Sequence, residues 1–399
     1  MVSPAQHLPG GISDKAIQTL LSSVNLPEAA SIKALTVTAE YHSIYVLGFT
    51  PNTVDGILPK ARAEPDGSAA LVLRVSGNHL PKIKTANEVA VMKWVLQHTN
   101  LPIPTVIRFD VSSSNAVGHE YTLLEKVPGI SVDEIYDSLD PATKHSLVCQ
   151  LANFLDQLHS HAWDFIGGLQ LSPDGNNVIA GPVVDETFWQ SPDILSFWPA
   201  DESVGSLNVV GPYRTYTEFV AASIDRYIYA INRHPSLVFM RDLVPRLHTF
   251  LALLKDKSRT DDLGLNRSRL VLAHKDMHFA NIMFDPNTGR ITGILDWEFA
   301  GVVPASRWNP VRAFLWNGKR TPEAKKEHAD MEEIFQRICD ERGMHILEEA
   351  KVTPSQESMQ TIVNFVRAIV EVSPRNEKQE EAVKWRQVVE SCLESFEIK

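Results

Sequence analysis

Residues 270–301 read LVLAHKDMHFANIMFDPNTGRITGILDWEFAG, and the reading of the whole chain turns on them. Leu270 to Ala273 is an apolar run that stops at His274. Asn281 to Phe284 is a second run that stops at Asp285-Pro-Asn-Thr-Gly289, where Pro286 and Gly289 mark a tight reversal. Ile291 to Leu295 then returns as a strand. Strand, loop, short strand, turn and strand bring Asp276, Asn281 and Asp296 near one another, although twenty residues separate the first from the last. Such a set suits phosphoryl transfer. One carboxylate takes the hydroxyl proton of an acceptor, while an amide oxygen and a second carboxylate hold Mg2+ against nucleotide phosphates. Asp276 is then the base, Asn281 and Asp296 are the metal ligands, and His274 braces the loop by hydrogen bonds.

Other chemistries fit these residues less well. His274 and His278 lie four apart, as zinc ligands on a helix do, but their flanks read as strand and loop, and no third His or Cys is near. A glycosidase pair of Asp276 and Asp296 leaves Asn281 without a task.

The spacing His-x-Asp-x-x-x-x-Asn is that of the protein-kinase catalytic loop, and Asp296-Trp297-Glu298 stands where those enzymes carry Asp-Phe-Gly. With the ITGILDWE strand between turn and carboxylate, the stretch resembles the aminoglycoside phosphotransferase and choline kinase-like family, its fungal members in particular. The resemblance implies an α+β, protein kinase-like bilobal fold. Residues 1–127 would form a β-rich nucleotide-binding lobe, and residues 128–399 a larger, mostly helical lobe for catalysis and substrate. It also implies ATP- and Mg2+-dependent phosphorylation of a hydroxyl on a small molecule. A catalytically silent kinase-like binding protein is the alternative.

Composition sets the outer limits. A chain of 399 residues with 44% hydrophobic content has room for two lobes. Its net charge of -11 argues against a nucleic-acid groove and favours a neutral or cationic small substrate. Cys149, Cys339 and Cys392 are odd in number and widely spaced, which indicates neither a disulfide framework nor a zinc site. The first residues lack the pattern of a signal peptide, and no apolar run reaches the roughly 18 residues of a membrane span. The expectation is a soluble, cytoplasmic protein with no membrane partner.

Taken in order, the chain places further candidates. Ser13 reads as the cap of a helix over residues 14–23 with Ile17, Leu20 and Leu21 on one face. Residues 34–49 read as two strands around a loop at 40–43, where a kinase covers the phosphates. No glycine occurs between Lys33 and Gly48, so a glycine-rich cradle is not expected. Tyr41, His42 and Ser43 are the candidate side-chain and amide donors there, a plain hairpin turn being the alternative. By the resemblance, Arg74 in the strand AALVLRV is the cation of the α- and β-phosphates. Glu88, in a helix whose Val89, Met92, Trp94, Val95 and Leu96 face inward, is its partner. Glu125 to Gly129 reads as a hinge, with backbone groups from Glu125 to Val127 for adenine.

The remainder reads as helical, with one interruption. Residues 141–160 form a helix ending at His159, with His159 and His161 as end caps. Residues 162–212 are loop-rich and hold Trp163, Phe188, Trp189, Phe197 and Trp198, either shaping an acceptor pocket or sealing an insertion onto the lobe. Helices are expected over 217–231, 237–255, 323–342, 358–371 and 377–396. No Ala-Pro-Glu follows Asp296, which separates the chain from protein kinases.

Overall fold

The structure, a computed structural model, describes residues 4–36, 39–54, 62–308 and 321–399. Residues 59–68, a polar stretch whose sequence reads as a turn, lie partly outside these residues. Helix α1 (Asp14–Ser23) starts at its serine, for Ser13 Oγ accepts the Ala16 N–H at 3.2 Å. Its Ile17, Leu20 and Leu21 are buried. Each contributes about 1.5–3 kcal/mol of hydrophobic burial.

These side chains cover one face of an antiparallel sheet. Strands β1 (Ser31–Ala34), β2 (His42–Phe49), β3 (Ala69–Ser76), β4 (Val106–Asp110) and β5 (Tyr121–Glu125) lie in the order β1-β2-β3-β5-β4. Leu71, Leu73 and Val75 of β3 join the cluster around α1. Strand alternation therefore turns Arg74 to the opposite face, towards helix α2 (Ile83–His98). Helix α2 is packed both by this sheet and by the hairpin of β7 (Gly168–Leu171) and β8 (Val178–Gly181). Flanking on two sides explains why Lys84, Asn87 and Glu88 are buried along with Val89, Met92 and Val95. Leu96, expected inward, is instead 42% exposed. A single apolar stripe is the wrong pattern for a helix enclosed from two directions.

The chain leaves this sheet after Glu125 and crosses a segment shaped by Gly129, whose φ is +112°. A Cβ there would lie 2.6 Å from the Phe284 carbonyl oxygen. Strand β6 (Ile130–Ser131) then pairs with the hairpin predicted from the sequence. Before that hairpin come helix α3 (Pro141–His159), α4 (Tyr216–Arg233), α5 (Val244–Lys255) and β9 (Leu270–Ala273). The hairpin itself is β10 (Ile282–Asp285) and β11 (Arg290–Ile294), and β12 (Gly301–Pro304) returns to pair with β9. Residues 237–255 are not one helix: a 3-10 stretch, Pro235–Leu243, precedes α5, because Pro245 has no N–H to give and sits in the first turn of a new helix. After residue 321 follow α6 (Pro322–Arg342), α7 (Pro354–Val372) and α8 (Gln379–Glu394). Helices α4, α5, α7 and α8 enclose a second core into which Trp189 and Trp198 are sealed.

His159 corrects the expectation of a cap. It is buried, and neither ring nitrogen has a hydrogen-bond partner among the described residues. Burial, reinforced by Arg269, pushes its pKa down to about 4 from an ordinary 6.5. Between those values the unfolded chain binds the proton and the folded one does not, so stability falls as pH drops through the window. About 2 kcal/mol should be lost from this group between pH 7 and pH 5. Urea unfolding of His159→Leu should show a pH dependence shallower by that amount; an unaltered slope would contradict the assignment. His161 packs edge-on against Trp94 and beside His98, with ring centroids 4.8 and 5.6 Å away.

Candidate active site

The loop between β9 and β10 is fixed by two residues with positive φ, Lys275 at +69° and, across from it, Asp296 at +65°. Non-glycine residues adopt this conformation only when their surroundings hold them there. His274 does much of the holding. Its Nε2 donates to the Leu295 carbonyl at 2.8 Å, its Nδ1 accepts the Asp276 N–H at 3.3 Å, and its ring meets Trp297 edge-on at 4.4 Å. Burial lowers its pKa to about 4, so the imidazole is neutral, as one donor and one acceptor require. Trp297 is fully buried, and its Nε1 donates to the Ile294 carbonyl at 2.9 Å.

Asp276 and Asn281 are joined directly. The Asn281 amide donates to the Asp276 backbone carbonyl at 2.9 Å and to its carboxylate at 3.2 Å. Burial, with Asp296 adding repulsion and Asn281 opposing, raises the Asp276 pKa to about 7. Asp296 moves the other way. Burial works against its charge, but Arg74 and Lys84 outweigh it and hold the carboxyl below its usual range.

Arg74 is the junction of the two sheet-bearing regions. One guanidinium nitrogen pairs with Glu88, and the other donates to Asp296 at 2.5 Å while lying 3.1 Å from His42 Nδ1. The ion pair expected from the resemblance is present, and Asp296 is an addition to it. Thr122, opposite Arg74 in the β3–β5 register, places its hydroxyl 3.5 Å from the second Glu88 oxygen.

Two candidates stand elsewhere than expected. His42 is the first residue of β2 rather than part of an open loop, and it is buried between Arg74 and Lys84, whose Nζ is 3.1 Å from its Nε2. Ser43, one residue on, faces the other side of the sheet, where its hydroxyl donates to the Pro9 carbonyl at 3.2 Å. Both side chains are thus engaged away from an open loop. At the hinge, the Glu125 carboxylate accepts the Arg62 and Thr105 N–H groups at 3.2 and 3.1 Å. The N–H groups of Glu125 and Lys126 are committed to Thr105 and Ala70. Val127 is buried against β11, where a Cβ on Gly293 would come within 2.5 Å of it.

The structure also adds residues that the sequence reading passed over. Lys84 is fully buried and pairs with Glu298, two positions beyond Asp296. Asn87, one turn along, donates to the carbonyls of Glu298 and Ala300 at 3.0 and 2.8 Å and accepts the Leu169 N–H at 2.8 Å. Helix α2 thus grips the segment carrying Asp296 at three points. The available signal was a helix with Lys84, Asn87 and Glu88 on one stripe otherwise expected to be apolar. Burial pushes the Glu298 pKa up to about 8, against the pull of Lys84. Lys84→Met should destabilise the protein by about 2–4 kcal/mol, because it leaves a buried carboxyl without its partner. Adding Glu298→Met should restore part of that loss in a denaturant-unfolding cycle. Additive losses would mean that the two groups do not interact.

A sheet lobe joined to a helical lobe, with Asp276, Asn281 and Asp296 gathered beside Arg74 where they meet, defines a kinase-like phosphotransferase scaffold. The chain belongs to the phosphotransferase enzyme family, whose model matches residues 59–306. A subtelomeric hrmA-associated cluster protein of Aspergillus fumigatus is 24% identical over 282 residues, covering 60% of this chain and 54% of that protein. Clavilactone A biosynthesis cluster protein Y of Ampulloclitocybe clavipes is 26% identical over 227 residues, 56% of this chain and 51% of its own. The chain spans about half the length of the curated relatives it matches. Among solved structures, the gentamicin–APH(2")-IIa complex aligns at TM-score 0.47 and 13% identity, covering 96% of this chain and 97% of that one. The GDP complex of aminoglycoside 2'-phosphotransferase-IIIa aligns at 0.46 and 13%, covering 96% and 98%.

Proposed function

We propose that this chain transfers the γ-phosphate of ATP, with Mg2+, to a hydroxyl of a small molecule. The observation that carries the reading is the gathering of Asp276, Asn281 and Asp296 with Arg74 of the sheet lobe. Asp276 accepts the acceptor's hydroxyl proton, and a pKa near neutrality suits it to do so. His274 keeps the loop in shape without touching substrate. Arg74, steadied by Glu88, faces the nucleotide phosphates, and backbone groups of the Glu125–Val127 segment, with two of its N–H groups already used, meet the adenine.

The donor set fits Mg2+. Asn281 uses its amide nitrogen on Asp276, which leaves the amide oxygen as the ligating atom, and Asp296 supplies a carboxylate. Among the described residues no three His, Cys, Asp or Glu side chains cluster as a metal cage. Two protein ligands completed by phosphate oxygens and water are the usual arrangement for this ion. When bound, Mg2+ neutralises phosphate charge and lowers the barrier to transfer.

Among the described residues no helix is long and apolar enough to cross a membrane. A small-molecule acceptor and a cytoplasmic setting are part of the same proposal. Thermal unfolding with ATP alone and with Mg-ATP tests the nucleotide half of the reading. Stabilisation that requires Mg2+ is expected, and indifference to Mg-ATP would favour a silent kinase-like protein. Screening a metabolite panel for ADP release then tests transfer.

A further inference from the structure

Two cavities lie beside the catalytic loop and share Asp185, Phe219 and Arg307 among their walls. The first begins at Lys275, the residue before Asp276, and holds about 70 Å3; the second extends it by about 40 Å3 towards α4 and α7. One water needs about 10–15 Å3 of such space, so the first cavity has room for a few water-sized groups. That is the size of a terminal functional group rather than of a whole sugar ring.

The charge of these walls is opposite to that of the chain. Among the described residues, these walls carry the cations Lys275, Arg226, Arg307 and Arg367 and the carboxylates Asp185 and Glu371, in a protein with a net charge of -11. Some of this charge is already used: Arg367 pairs with Glu371 at 2.5 Å, and Arg226 donates to the Ser206 carbonyl at 3.3 Å. Lys275 donates to the Val184 carbonyl at 2.8 Å and stands 3.9 Å from Asp185. The Arg307 guanidinium lies over the Phe219 ring at 4.7 Å and shares the same Asp185 through longer-range attraction. Among the described residues Asp185 is the one carboxylate on the wall of the first cavity against two partly buried cations, Glu186 acting on Lys275 from outside that wall, and this leaves a positive surplus within the cavity. A planar guanidinium backed by a ring and aimed into a small cavity is suited to a carboxylate, which it can meet with two parallel hydrogen bonds.

Resting on the phosphotransferase reading above, we propose that the acceptor is a hydroxylated small organic acid. Its carboxylate is held by Arg307 and Lys275, and its hydroxyl is thereby presented to Asp276. Glu40 and Glu186, which also act on Asp276, are the groups that an amine would meet instead. Neither Glu40 nor Glu186 lines either cavity, whereas Arg307 and Lys275 do, and this placement favours the acid.

Thermal unfolding of the full chain should be compared in about 10 mM benzoate and in about 10 mM benzylamine, probes with the same ring and opposite charge. Benzoate should stabilise the protein and benzylamine should not. Arg307→Gln should weaken the apparent benzoate affinity roughly ten-fold, and Lys275→Gln should weaken it to a lesser degree. A shift with benzylamine alone, no shift with either probe, or a benzoate shift untouched by both substitutions would overturn the proposal. Mg-ATP, tested in parallel, separates the two readings. Mg-ATP binding without benzoate binding rejects the acid site alone. Benzoate binding without Mg-ATP binding supports the anion site and rejects the phosphotransferase.

Discussion

Asp276→Ala or Asp276→Asn is expected to lower turnover by roughly two or more orders of magnitude while leaving nucleotide affinity within about a few-fold of the parent. The physical ground is the position of the carboxylate. Asp276 is bonded to Asn281 and not to Arg74, which turns instead to Glu88 and Asp296. Removing it takes away the proton acceptor but none of the positive charge that faces the phosphates. Asparagine keeps the shape and the hydrogen bonding and loses only basicity, so the two substitutions should behave alike. Single-turnover transfer and equilibrium binding of Mg-ATP, measured on the same variants, check this. An equal loss of nucleotide binding would place Asp276 on the phosphates rather than on the acceptor.

The second large effect should come from Asp296→Ala, which is expected to abolish the Mg2+-dependent part of ATP binding. Its carboxylate is kept ionised by Arg74 and Lys84 despite its burial. A group kept ionised at low cost is a ready metal ligand, and its removal would leave Mg2+ with Asn281 as its one protein ligand. Arg74 retains Glu88 in the variant, so the sheet lobe should stay folded, and loss of binding can be separated from loss of structure. Calorimetric titration with ATP in the presence and absence of Mg2+ is the measurement. A variant that still binds Mg-ATP more tightly than ATP would show that the metal is held elsewhere. Should the difference disappear for Asp296→Ala and persist for Asp276→Ala, the two carboxylates have the separate tasks assigned to them.

Much of this protein was legible in the order of its residues, for a local reason. The segment from β9 to β11 is a strand, a loop and a tight hairpin, so Asp276, Asn281 and Asp296 are brought together by turns that the nearby sequence itself specifies. Ser13 and the spacing of Ile17, Leu20 and Leu21 set α1 in the same way. Arg74 and Glu88 were reached through resemblance to a family, and the β3–α2 packing places them in contact. Tertiary structure decided the rest. Lys84 meets Glu298 across 214 positions, and Arg74 meets Asp296 across 222, distances over which no periodicity carries information. The sequence places His42 in a loop between two strands, yet β2 begins with it and buries it between two cations. The apolar spacing turns Leu96 to the core, yet α2 is enclosed from two sides and buries Lys84, Asn87 and Glu88 instead. Turns and caps are settled by neighbouring residues; which polar groups are buried, and against which partners, is settled only when distant elements pack together and each buried charge must find its counterpart.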